Sequence, residues 1–100
     1  MQDKSLFRTE AAFSIRGRSY LVLSGDITQG SVQVGDQIAQ CLIAPSLEGR
    51  KIIALESVSL TSGGRRLGIC VTYRAESELA DFKELDWHGA FIKVLNRVDD

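Results

Sequence analysis

The sequence predicts an all-β domain: a small closed antiparallel β-barrel of about six strands, with one short helical turn. Three observations predict it. Apolar and polar residues alternate with period two along most of the chain. Only "SELADFKEL" carries helical spacing. Glycines punctuate the first half, with Gly25, Gly30 and Gly35 at five-residue intervals. Short strands need such corners to curl and close, and closure removes the exposed edges of so short a chain.

The elements follow in order. "AAFSIRG" puts Phe13 and Ile15 on one face, with Ser14 and Arg16 on the other. Gly17 then supplies a turn, where positive φ is cheap only for glycine. "SYLVLSGDI" is apolar on both faces, as a central strand is. Inside it Gly25 marks a bulge or sharp bend. Gly30 is a second turn, and Gly35 with Asp36 in "VGD" starts the next strand. That strand, "DQIAQCLIA", alternates Ile38, Gln40 and Leu42. "APSLEGR", which holds the single proline, Pro45, is a loop. "KIIALESVSL" groups Ile52, Ala54, Val58 and Leu60 on one face. "LGICVTYR" alternates most cleanly, with Leu67, Ile69, Val71 and Tyr73 against Gly68, Cys70, Thr72 and Arg74. Leu79, Phe82 and Leu85 then recur every three residues after a cap candidate at Ser77, which predicts one or two turns over 77–85, of 3₁₀ character. "AFIKVLNRV" is the sixth strand.

Composition bounds the rest. One hundred residues fit one domain, 1–100. At 44% hydrophobic residues there is material for one core, and a chain this size buries roughly two thirds of its unfolded surface. Twelve basic against thirteen acidic residues leave a net charge of −1, which argues against a general nucleic-acid coat or a membrane-surface binder. Runs such as "YLVL" and "CLIA" are far short of the ~18 apolar residues that span a bilayer. "MQDKSLFRTE" has no apolar core of a secretory signal, so a cytoplasmic address is expected. Cys41 and Cys70 lie in apolar runs and read as reduced, buried small hydrophobes. No CxxC or Cys/His set suggests a metal.

"FSIRGR" followed by "SGDITQGSVQVGDQI" resembles the second-domain β-barrel of translational GTPases such as elongation factor Tu. Phe13, Ile15, Gly17, Arg18, Gly25, Ile27, Gly30, Val34, Gly35 and Asp36 stand at matching places. Downstream, Gly64, Leu67 and Gly68 in "GGRRLGICV" match a strand opening, and Gly89 in "HGAFI" matches the final strand. The likeness spans about residues 11 to 95. It departs at Ser19, where the family has a second glycine, and at Arg65 and Arg66, where it has acidic and amide residues. It implies the barrel fold. It does not bring GTP hydrolysis, because no G-x-x-x-x-G-K-[ST] loop exists in the sequence. Nor does it bring aminoacyl-tRNA binding, because the matching residues set fold geometry.

Little in the chain points to chemistry. His88, the one histidine, sits in "DWHGA" and reads as a turn residue before a strand, with no nucleophile to serve. Glu76, Glu78, Asp81, Glu84 and Asp86 read as a solvated helical face. Arg65 and Arg66 follow Gly63 and Gly64 at a hairpin tip, and with Arg50 and Lys51 they are the candidates for contact with a partner or a phosphate. Arg16 and Arg18 are further basic loop positions. The expectation is a stand-alone, non-catalytic module that docks a protein partner, without cofactor, metal or nucleotide. RNA or ribosome binding through the basic loops is the alternative. A small hydrolase built on His88 is the third reading.

Overall fold

The computed structural model describes residues 4–15, 17–59 and 63–96. Its strands are β1 (Lys4–Ser14), β2 (Tyr20–Gln29), β3 (Gln37–Cys41), β4 (Ala54–Ser59), β5 (Arg65–Thr72) and β6 (Phe91–Leu95). A single 3₁₀ turn (Pro45–Leu47) follows β3, and one helix, α1 (Glu76–Glu84), lies between β5 and β6. Arg16, Leu60, Arg97 and Val98 lie outside the described residues. All five strand pairings are antiparallel, in the order β3-β6-β1-β2-β5-β4.

The sheet does not close, which corrects the expected barrel. Laid flat, six strands would hold the two end strands roughly 24 Å apart, at about 4.8 Å per spacing. The sheet instead curls, and the segment that joins its ends lies against β3. The Ile52 N–H donates to the Asp36 carbonyl (2.8 Å), the Ile38 N–H to the Arg50 carbonyl (2.9 Å) and the Gly49 N–H to the Ile38 carbonyl (2.8 Å). That segment makes one isolated bridge, Gln37 with Lys51, and then leaves to become β4 on β5. Past that bridge no ladder joins β3 to β4 among the described residues, so the sheet stays open between them.

One core fills the concave face. Phe7, Leu21, Leu23, Ile69, Val71, Ile92 and Val94 meet there through facing positions of four strands. Leu79 and Phe82 of α1 and the buried Trp87 cover it. The Trp87 indole N–H donates to the Phe82 carbonyl (2.6 Å), so its polar edge is satisfied under the helix end. A second, smaller cluster on the convex face joins Tyr20, Val22 and Cys70 to Phe13, Ile15, Ala54 and Val58. This explains why β2 is apolar on both faces.

Two faces therefore divide the "KIIALESVSL" stretch. Ile52 belongs to the main core, whereas Ala54 and Val58 belong to the convex cluster, because the chain changes partner strand between them. In β3 a register shift between Ile38 and Gln40 turns Cys41 into the core and leaves Leu42 exposed, against the simple alternation. The helix is α, nine residues long, and its N-cap position is Ala75 with no side-chain cap, not Ser77. Glu76 and Glu78 in its first turn and Lys83 in its last suit the helix dipole.

The glycine cadence has a structural counterpart. Gly25 opposes the β1 bulge between Thr9 and Ala11, and a Cβ there would overlap the Arg8 carbonyl oxygen. Gly35 has φ +100°, a conformation side chains rarely adopt, in the turn that Asp36 closes. Gly17, Gly30, Gly64 and Gly89 also turn with positive φ, while Gly68 lies inside β5 and does not.

Asp36 is 1% exposed. Its Oδ2 accepts from the Gln33 N–H (2.8 Å) and from Asn96 Nδ2 (2.9 Å). Asn96 Oδ1 accepts from the Ser5 hydroxyl (2.9 Å), which in turn accepts from the Ser31 N–H (3.0 Å). This network ties β1, the β2–β3 turn and the end of β6 together.

Candidate functional site

The four candidate cations do not converge. Arg50 anchors the approach to β4 against α1. Its guanidinium donates to both Glu78 oxygens (2.7 and 2.9 Å) and to the Thr72 carbonyl (2.8 Å), and it lies 5.5 Å from the Phe82 ring centroid. Glu78 also accepts from the Arg74 N–H (2.8 Å). The Arg50 hydrogen bonds hold the Glu78 carboxyl down at about 2. Lys51 is exposed beside it. Arg65 begins the strand whose other end, Thr72, receives Arg50, so the two guanidinium anchors are seven residues apart, about 23 Å along an extended strand.

Arg65 and Arg66 are neighbours with opposite environments. Arg66 Nε lies 3.5 Å from Glu10 Oε1 and 3.5 Å from Asp26 Oδ2, two carboxylates that the β1 bulge and β2 bring to it. Arg65 is exposed, donates weakly to Ser57 Oγ (3.4 Å), and has no carboxylate within ion-pair distance among the described residues.

Around this pair runs an open groove of about 460 Å³. Leu55, Glu56 and Ser57 of β4 line one side, and Arg65, Arg66 and Leu67 of β5 the other. Antiparallel pairing sets Leu67 opposite Ser57, Gly68 opposite Glu56 and Ile69 opposite Leu55. Glu56 is tethered: Tyr20 Oη donates to its Oε1 (2.6 Å). That hydrogen bond, with burial, pushes the Tyr20 hydroxyl up. Gly68 lets the strands pack tightly, since a Cβ would stand 2.7 Å from Val22 Cγ1 and 3.1 Å from Val58 Cγ2. On the face of Leu55 and Leu67 the groove thus offers apolar side chains and one guanidinium, Arg65, without a carboxylate partner among the described residues, while Glu56 is held on the opposite face by Tyr20.

The remaining candidates are placed apart from it. His88 is exposed, and its backbone N–H donates to Asp86 Oδ1 (3.2 Å) in a turn. Glu76, Asp81, Glu84 and Asp86 are exposed around α1. Cys41 and Cys70 are buried and unbonded, and burial, then the nearby Glu56, pushes the Cys70 thiol up to about 11. No cluster of metal-ligating side chains occurs among the described residues.

Sequence reasoning named Arg65 and Arg66 but not their groove. Leu67 enters the sequence reading as a strand residue and a match to the resemblance, and Leu55 and Glu56 are not singled out there. The signal was the mismatch in "KIIALE", where Ile53 and Leu55 break the alternation and stay exposed.

Comparison with known proteins gave no match. No family model, no curated protein and no solved structure corresponds to the chain.

Proposed function

We propose that the chain is a non-catalytic binding module that docks a protein partner at the groove between β4 and β5. The observation that carries this is the pairing of apolar Leu55 and Leu67 with the unpaired Arg65 at a sheet edge. Protein interfaces combine an apolar centre with arginine in this way. Nucleic-acid affinity instead grows with clustered cations that release counterions, and Arg50 and Arg66 already have carboxylate neighbours. No aromatic residue lines the groove as a stacking platform.

The likeness to the second domain of translational GTPases belongs to the same proposal. Six antiparallel strands and the bend at Gly25 support it; the open sheet does not. A cytoplasmic site of action is also proposed; no helix among the described residues is long and apolar enough to cross a membrane.

The test is capture of partners from the native lysate, with and without nuclease, by the parent chain, a Leu55→Glu/Arg65→Glu double variant and a Phe91→Ser control. Phe91 is exposed on a strand remote from β4 in sheet order. A protein retained after nuclease, lost with the groove variant and kept by the control, is the expected result. Retention that ignores the groove variant, or that vanishes with nuclease, overturns the proposal.

A further inference from the structure

The two ends of the sheet are unequal. The outer side of β3 is met by the segment before β4, through the Ile38, Gly49 and Ile52 hydrogen bonds. The outer side of β4 is not. Its six residues pair with β5 alone, and no backbone hydrogen bond joins Ala54–Ser59 to any other element among the described residues. β4 has no proline, no lysine and no register shift against β5, and its one charge, Glu56, is held by the Tyr20 hydroxyl. Ile53, just before it, is 42% exposed, and Leu55 is 36% exposed.

We infer that the free edge of β4 takes up an extended segment of a partner protein as a seventh strand, with apolar side chains at alternate positions and a carboxylate at the end beside Arg65. This rests on the docking reading above and specifies its geometry. Backbone hydrogen bonds to an open edge give such a complex its affinity, and alternate side chains give it selectivity.

The charge pattern selects the segment. Arg65 stands at the Ser59 end of β4, its register partner, and has no acidic neighbour within ion-pair distance among the described residues. Ile53 and Leu55 stand at the other end. A matching strand is therefore apolar where it meets Ile53 and Leu55 and acidic where it meets Ser59, the register partner of Arg65. A second copy of this chain matches poorly. Antiparallel self-pairing centred on Glu56 sets two carboxylates directly opposite, which is unfavourable. Centred on Ser57, it sets Leu55 against Ser59; centred on Leu55, it pairs the two leucines but sets Lys51 against Ser59, beside the like-charged Arg65 of the other copy.

The experiment is selection from a displayed library of random ten-residue peptides on the immobilised full chain, followed by amide chemical-shift mapping of the selected peptides. Peptides with alternating apolar residues and a terminal Asp or Glu are expected, with shifts confined to residues 53–59 and 65–67. N-methylation of alternate peptide residues, in the frame that faces β4, is expected to weaken binding about tenfold or more, because each methyl removes a backbone donor. Arg65→Glu is expected to keep the parent's melting temperature and to redirect selection to Lys- or Arg-ended peptides. Groove-bound peptides that tolerate N-methylation in both frames overturn strand addition and leave docking standing. Shifts elsewhere on the molecule, or no selectable peptide, overturn both. A concentration-dependent dimer with shifts along β4 overturns the partner assignment in favour of a second copy.

Discussion

Replacing Gly25 by Ala is expected to be a highly damaging single-methyl change on the face that carries the main core. The added Cβ would overlap the Arg8 carbonyl oxygen and stand 2.9 Å from both the Arg8 carbonyl carbon and Thr9 Cα. These are backbone atoms of β1, which is hydrogen-bonded on both sides, so no rotamer change relieves the contact. Overpacking costs ~1–3 kcal/mol where side chains can yield, and a rigid neighbour sets the value at the upper end, about 3 kcal/mol. At ~4–8 °C per kcal/mol for a domain of this size, the melting temperature falls by roughly 12–24 °C. Gly25→Val adds to that. Gly17→Ala is the control: φ is +84°, but nothing lies within 4 Å of its Cβ, so only the left-handed strain of ~1–2 kcal/mol applies. Gly35, at φ +100°, belongs with the control or slightly above it. Thermal melts followed by far-UV circular dichroism, with urea titrations for m-values, read the series. A Gly25→Ala protein that melts no lower than Gly17→Ala would refute the bulge contact.

Other outcomes are expected elsewhere. Arg50→Ala should lower stability by about 2 kcal/mol, since charged hydrogen bonds to Glu78 and one to Thr72 are lost; urea unfolding measures it. Glu78 has a folded pKa of about 2, below its ordinary 4.5, so its contribution is full above the ordinary value and is lost as pH falls through about 2. Stability measured from pH 6 to 2 should therefore fall more shallowly in Glu78→Gln than in the parent. Cys41 and Cys70 should resist alkylation at pH 8 until the chain unfolds, as both are buried thiols; mass spectrometry of non-reduced protein should show no bond between them. Arg65→Ala should leave stability within ~0.5 kcal/mol, whereas Arg66→Ala, which leaves Glu10 and Asp26 without their shared cation, should cost about 1 kcal/mol.

Where side chains alternate by hydrophobicity, the strands were legible. Leu67, Ile69, Val71 and Tyr73 sit in or against the main core as their spacing says. The first half of β1 was not legible. Its buried positions are Ser5, Phe7 and Thr9, and two of the three are polar. Their burial is made tolerable by hydrogen bonds to Asn96, Trp87 and Ala90, which are 78 or more residues away. Apolar period-two reading has nothing to register there. The same holds for the candidate site. Arg65 and Arg66 are adjacent in sequence, but that Arg66 faces Glu10 and Asp26 while Arg65 faces none depends on the β1 bulge and on strand order. Arg50 looked like one more loop cation until Glu78, 28 residues on, closed over it. Closure failed as an expectation because alternation and turns specify strands, not whether two short end strands will meet.

The placement of β1 has a consequence for how the chain reaches this state. Of the six strands β1 is made first and lies in the middle of the sheet, and one of its two neighbours, β6, is the last of the six. Ser5 finds Asn96 across a separation of 91 residues. Contacts of that span close a large loop before they return any free energy, and they slow folding. Until β6 arrives, β1 carries an unpaired edge along residues 4–8, the kind of transient surface on which nascent chains aggregate. That edge is flanked by Lys4, Arg8 and Glu10, charges that discourage a stray strand from pairing there during the wait.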